Sequence, residues 1–308
     1  MDAASPRSLK QTLDSILSVS SGSFLRSDPL EFVRQYTDPC DREVAGLFAA
    51  GLAIGRVDRV REAVQRVLHV LGPSPHRFIR AFDLREQRHV FHGFVYRFFR
   101  EQDMAVLALW LHRILKTYGH LEILFMKGYR DADPDVGPAL SHFVRSFRGL
   151  DTWPVVRSLP ASSGLRAFFS DPAGGSGCKR LNLFLRWMVR RGEPDLGLWR
   201  GVDPAKLVIP LDTHVIRLGR MLGLTARATP DWKMAQEITR SIRVFEPTDP
   251  VKYDFALCHA GMERSCPDGG RDGCDPSCPF ASFCARAHSS NEEIVFEIKR
   301  RSRKSRKK

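Results

Sequence analysis

The sequence lacks any apolar run long enough to cross a bilayer. The nearest, Ala45 to Gly55, is short and interrupted by glycine, which excludes a helical membrane protein. The opening Met1-Asp2-Ala3-Ala4-Ser5-Pro6 has neither the charged nor the apolar region of a secretory signal, so a soluble cytoplasmic protein is expected. No internal repeat and no convincing alternation of apolar and polar residues is present, which argues against a solenoid or an extended sheet. Acidic residues are scarce beside basic ones, 35 against 48, giving a net charge of +13 and a pI near 9.8. That excess favours a polyanionic partner. Eight of the positive charges (Lys299, Arg300, Arg301, Arg303, Lys304, Arg306, Lys307 and Lys308) crowd into the last ten residues, and without them the body carries only +5. Such a tail cannot bury apolar surface, so it is expected to be disordered, either adding non-specific DNA affinity or standing as a solvated terminus.

What is present is helical periodicity. Val44, Leu47, Phe48 and Leu52 share one helical face; Val57, Val60, Val64, Val67 and Leu68 form a second, stopped by Gly72-Pro73-Ser74-Pro75. Further stripes run through Val90, Phe91, Phe94, Val95, Phe98 and Phe99, and from Met104 to Leu115. Asp131 to Pro138 reads as a loop, Ala139 to Phe147 as a helix, and Leu159 to Gly164 as irregular chain. Thr213 to Leu222 and Trp232 to Phe245 read as two later helices. Composition and periodicity together specify an all-α protein of 308 residues, long enough for two compact units.

The stretch Gly175-Ser176-Gly177-Cys178-Lys179 opens an amphipathic helix whose Leu181, Phe184, Leu185 and Met188 face inward. Glycines permit a tight turn and a close approach of backbone N–H groups to a phosphate. A desolvated lysine amine can attack a sugar C1′ and form a Schiff base, and a nearby carboxylate can assist. Asp212, in Pro210-Leu211-Asp212-Thr213-His214-Val215, follows Lys179 by 33 positions. Plainer readings fit the same residue types: a lysine just inside a helix is commonly a solvated surface residue, and an aspartate before Thr213-His214-Val215-Ile216 is a good N-cap. A capping aspartate can also be held rigidly toward a cleft.

Four of the seven cysteines form Cys266-x7-Cys274-x3-Cys278-x5-Cys284 among glycines and prolines. Four thiolates at this spacing can hold a tetrahedral zinc ion or a [4Fe–4S] cluster; disulfides fit a reducing cytoplasm less well. Cys40, Cys178 and Cys258 read as ordinary buried thiols.

The Gly-x-Gly-x-Lys turn, the Leu-Asp-Thr-His context and the downstream cysteines resemble, in that order, the helix-hairpin-helix DNA glycosylases that include endonuclease III and the 8-oxoguanine glycosylases. The strings Cys178 to Arg190 and Pro210 to Val215 are most similar to a bacterial branch of that superfamily, and the resemblance covers about residues 170 to 286. The segment between lysine and aspartate, including Arg191-Gly192-Glu193-Pro194, is longer than in endonuclease III and closer to the archaeal 8-oxoguanine enzymes. Residue by residue, the resemblance implies Lys179 and Asp212 as the catalytic pair and a [4Fe–4S] cluster on Cys266, Cys274, Cys278 and Cys284, with one extra residue in each of the first two gaps. It implies a DNA contact surface from Gly175, Gly177, Arg180 and Arg264, the last beside the basic residues Arg271 and Arg286.

It also implies two helical domains with a DNA-binding cleft between them. Residues 42 to 200 would form the central domain with the hairpin, residues 1 to 41 and 201 to 290 the second, and 291 to 308 a helical end and basic tail. Arg56 falls where related enzymes begin the helix that approaches the vacated base stack, although a solvated surface arginine accounts for it too. The implied activity is base excision from double-stranded DNA carrying a damaged base or an abasic site, by a nucleoid-associated monomer with lyase activity; the lysine-to-aspartate spacing points toward oxidised purines. A DNA-structure binder of the same fold without chemistry, and a fold relative acting on RNA, are the rival expectations.

Overall fold

In the computed structural model the described residues are 6–20, 28–87, 89–263, 279, 280 and 283. Among the described residues 58% are helical, and one two-stranded sheet is present. In chain order come α1 (Pro6–Ser20), α2 (Leu30–Arg34), α3 (Pro39–Leu52), α4 (Val57–Leu71), α5 (Pro75–Arg80) and α6 (Leu84–Gln87). The two-residue strands β1 (Val95–Tyr96) and β2 (Phe99–Arg100) follow, then α7 (Glu101–Tyr118), α8 (Leu121–Met126), α9 (Gly137–Arg148), α10 (Gly164–Phe168) and α11 (Lys179–Val189). The last three are α12 (Thr213–Met221), α13 (Trp232–Arg243) and α14 (Asp254–Glu263). None of these helices is long and apolar enough to cross a membrane. The chain divides into two compact units, residues 25–203 and residues 1–24 with 204–308.

In the 25–203 unit, α3 is the central element. Asp38 accepts the Cys40 N–H at 2.7 Å, and Pro39 at the first helical position has no N–H that needs an acceptor. From Val44 to Leu52 every residue of α3 is buried. It packs against α11 at Gly46, where an added Cβ would come within 2.9 Å of Met188 Cε. Gly51 similarly meets the Phe168 ring of α10. α4 buries its Val60, Val64, Val67 and Leu71 stripe and ends at Gly72, whose φ of 71° suits a residue without Cβ. Glu43 is a buried carboxylate that accepts N–H groups from Leu121, Glu122 and Trp199, fastening α3 to the start of α8 and to the chain after α11. Burial pushes its pKa up, against those three donors.

One expected helical face is not helical. Around Val90 to Phe99 the chain makes turns and then the hairpin β1–β2, with Val95 opposite Arg100 and Tyr96 opposite Phe99. Gly93 (φ 72°) and Arg97 (φ 51°) take left-handed conformations that interrupt a helix. Phe91, Phe94 and Phe99 are buried, while Val95 (57%) and Phe98 (52%) stand out in solvent. The i, i+3 spacing of apolar residues is thus satisfied by tight turns.

In the other unit, α12 packs on α14 and α1 packs on α14. Asp231 caps α13 by accepting the Met234 N–H at 2.8 Å. α1 buries Leu9 and Leu13 and adds a polar anchor: Lys10 donates to Glu246 at 2.8 Å and to the Tyr253 hydroxyl at 3.0 Å, and Asp14 accepts from Lys252 and Tyr253, each at 2.8 Å.

Candidate functional site

The turn before α11 is assembled from short-range bonds. Asp171 accepts the Ala173 N–H (2.8 Å) and the Ser141 hydroxyl (2.6 Å), starting a single 3-10 turn over Pro172–Gly174. Gly175 (φ 85°) then takes the left-handed conformation that ends it. The second left-handed residue is Cys178 (φ 46°), not Gly177. What holds Cys178 there is its thiol, 3.2 and 3.3 Å from the carbonyl oxygens of Ser170 and Ser176, together with its N–H on the Ser176 hydroxyl. Burial pushes this thiol up to about 11, so it stays protonated at neutral pH. Asn182 adds a side-chain N–H to the Gly177 carbonyl at 3.2 Å.

Three consecutive side chains at this helix start face different surroundings. Cys178 is buried, Lys179 half-buried and Arg180 buried. Arg180, expected on the DNA-facing surface, instead lies inside the unit: it donates to the Gly51 carbonyl at 2.7 Å, and its guanidinium lies over the Phe99 and Phe168 rings. Burial pulls its pKa down to about 10, which leaves it charged at neutral pH. Its placement follows from the helix register, since the inward face of α11 begins at Arg180 and continues through Leu181, Phe184, Leu185 and Met188. The Lys179 charge is among those that act on Asp28. Burial drives the Asp28 carboxyl above the usual range, and Arg186, the Leu30 N–H and the Lys179 charge oppose that rise. Nothing in the sequence marks Asp28, more than a hundred positions before Lys179.

The segment Arg191 to Pro194 is tied down by arginines. Asp195 accepts from Arg186 Nε (3.1 Å) and Arg190 Nη1 (3.0 Å), all three groups being buried, and Arg190 also donates to the Gly192 and Glu193 carbonyls. Arg34 reaches Glu193 and the Pro194 carbonyl.

In the other unit Asp212 is the N-cap of α12. One carboxylate oxygen accepts the Val215 N–H at 2.6 Å, and the other lies 2.8 Å from the Cys258 thiol of α14. Cys258, expected to be an ordinary buried thiol, is instead half-buried and donates to the candidate carboxylate. α14 also approaches α12 at Gly261, where a Cβ would fall 2.6 Å from His214 Cβ.

Arg56 is exposed (83%) and pairs with Asp58 as the chain enters α4. The turn before it is braced by the hairpin, with the Tyr96 hydroxyl on the Ile54 carbonyl. Arg97, Phe98 and Arg100 thus stand exposed on a hairpin fastened to the loop that leads to Arg56, an association that periodicity did not reveal. Arg264, Cys266, Cys274, Cys278 and Cys284 lie outside the described residues. Among the described residues no group of three or more His, Cys, Asp or Glu is placed to hold a metal ion.

The fold defines a mostly helical protein in which a glycine turn presents a lysine and a helix N-cap presents a carboxylate. Residues 28–263 match the model of the family described as Protein of unknown function (DUF2400), and the chain belongs to that family. No curated protein and no solved structure matches it.

Proposed function

We propose that this protein is a DNA base-excision enzyme in which Lys179 is the nucleophile and Asp212 assists, with abasic-site lyase activity. The observation that carries the reading is the division of labour at the start of α11: Cys178 and Arg180 are taken up by the protein, while Lys179 remains half-exposed between them. The first N–H groups of α11 and the exposed Gly175 provide a backbone surface suited to a phosphate.

In this reading the damaged nucleotide is rotated out of the stack. The neutral Lys179 amine forms a bond to C1′ as the bond from C1′ to the base breaks, and the base leaves with the electron pair and gains a proton. Asp212 is assigned the assisting role of the carboxylate, which stabilises the positive charge that develops as the base leaves. Opening of the sugar gives a Schiff base; loss of a proton from C2′ then expels the 3′ phosphate and cleaves the strand. Oxidised purines are the favoured substrate. The four cysteines Cys266, Cys274, Cys278 and Cys284 are a donor set for a [4Fe–4S] cluster, or for zinc, and no step of the chemistry passes through it.

Incubation with duplexes bearing oxidised purines or an abasic site in the presence of borohydride should yield a covalent adduct. Lys179→Gln should abolish it while leaving duplex affinity within about threefold. Absence of an adduct on every such substrate overturns the lyase reading. Elemental analysis of the same preparation should find about four iron atoms per chain with brown colour, whereas one zinc assigns the cysteines to that ion.

One observation favours a second reading, a DNA-structure binder without chemistry: both Asp212 oxygens already have partners, Val215 and Cys258. It forecasts binding to abasic or branched DNA with no covalent capture.

A further inference from the structure

A cavity of about 370 Å³, lined by no residue of the Gly175–Lys179 turn, opens within the 25–203 unit between α7, the end of α9, the loop after it and α10. The volume lies in the range of small-molecule sites. Its apolar wall is Trp110, Leu159 and Leu165. Trp110 is fixed edge-on against Phe147 and Phe169, and its indole N–H is buried with no acceptor among the described residues.

The rim is cationic. Arg148, Arg157 and Arg166 surround the opening and Asp151 is the single acid on it, an excess of two positive charges. Among the described residues the side chains of Arg148 and Arg157 make neither an ion pair nor a hydrogen bond, and that of Arg166 bonds through Nε to the Leu159 carbonyl at 3.0 Å. The Asp151 carboxylate accepts the Trp153 N–H at 2.9 Å. The loop that carries Arg157 is held in shape, since Arg113 donates to the Asp151 and Trp153 carbonyls and the Thr152 hydroxyl to the Val156 carbonyl.

We propose that this cavity binds a phosphate monoester attached to an apolar or aromatic body, with the phosphate on Arg148 and Arg157 and the body against Trp110. A monoester carries about −1.5 to −2 charge at neutral pH, which matches the excess of two on the rim, and guanidinium forks take phosphate oxygens in pairs. A phosphodiester carries a single charge, so it does not match the excess of two on the rim. Two sources share this chemistry, a free mononucleotide and the phosphorylated end of a nucleic-acid strand.

Calorimetry on the full chain at low salt distinguishes them. Adenosine monophosphate, adenosine, inorganic phosphate and a short single strand with and without a 5′ phosphate are titrated into the wild type, Arg148→Ala, Arg157→Ala and the double variant. Both arginines are exposed, so thermal midpoints should be unchanged, and Arg157→Ala on its loop serves alone should Arg148→Ala unfold. Saturable binding of adenosine monophosphate, no binding of adenosine, and at least a tenfold loss in either variant support the site. Tighter binding of the 5′-phosphorylated strand assigns it to strand ends, and tighter binding of the mononucleotide to a free ligand. No saturable binding of any monoester, equal affinity in the variants, or inorganic phosphate binding as tightly as the monoester overturns it. Lys179→Gln should bind these ligands like the wild type, so the outcome is independent of the excision chemistry.

Discussion

At the scale of single residues, Asp212 carries two duties that substitution can separate. As an N-cap it accepts the Val215 N–H, a contact worth about 1 kcal/mol that asparagine supplies nearly as well as aspartate. As a carboxylate it supplies negative charge, which asparagine does not. Asp212→Asn should therefore leave the thermal midpoint within about a degree or two and lower single-turnover excision at least a hundredfold, whereas Asp212→Ala should lose both. Equal excision by wild type and Asp212→Asn would return Asp212 to a purely structural role. The cap itself was legible, because the aspartate and the N–H it accepts are three positions apart. The Cys258 thiol on the other oxygen was not, since it arrives from 46 positions away through the packing of α14 on α12. Arg180 shows the same limit: basic residues beside a glycine turn read as a phosphate contact, yet the register of α11 turns this one onto Phe99 and Phe168.

At the scale of elements, periodicity recovered the long amphipathic helices and failed where turns copied their spacing. α4, α9, α12 and α13 each bury the stripe that the sequence displays. The run from Val90 to Phe99 displays one as well, but Gly93 and Arg97 break it into a hairpin. α1 gave no sequence signal of where it docks; its polar anchor on Glu246, Lys252 and Tyr253 joins residues more than two hundred positions apart. That anchor is sensitive to acid. Partial burial would raise the Asp14 carboxyl, but hydrogen bonds from Lys252, Tyr253 and Lys10 outweigh it and hold the group at about 2; Glu246 is lowered as well, its own burial being outweighed by Lys10. A carboxylate depressed below its ordinary value of about 3.9 contributes fully above that pH and loses the contribution as pH falls toward 2. Hydrogen-exchange protection of α1, corrected for intrinsic rate, should accordingly fall between about pH 4 and pH 2 and drop further in 1 M salt, since the Asp14 side chain is 39% exposed and salt can screen it. It should not vanish, because Leu9 and Leu13 remain buried. Protection that stays constant across that range would show that the apolar contacts alone hold the helix.

At the scale of the whole molecule, charge is the property the sequence states most plainly and the fold uses least. Arginines that would count toward a basic surface are spent internally: Arg186 and Arg190 on Asp195, Arg180 on Gly51. Of the net +13, eight charges sit between Lys299 and Lys308 and five on the rest of the chain. Non-specific DNA affinity should therefore depend on those last ten residues more than on the helical body. Each phosphate that a cation neutralises contributes about 0.9 to the slope of log affinity against log salt on duplex DNA. Removing residues 299–308 should flatten that slope by several units and weaken binding to undamaged duplex in 50 mM salt by at least tenfold. The yield of borohydride-trapped adduct at saturating substrate should stay unchanged, because Lys179 and Asp212 are untouched. Fluorescence anisotropy across a salt series measures the slope, and a slope equal to that of the full chain would move the polyanion contact from the tail to the folded units.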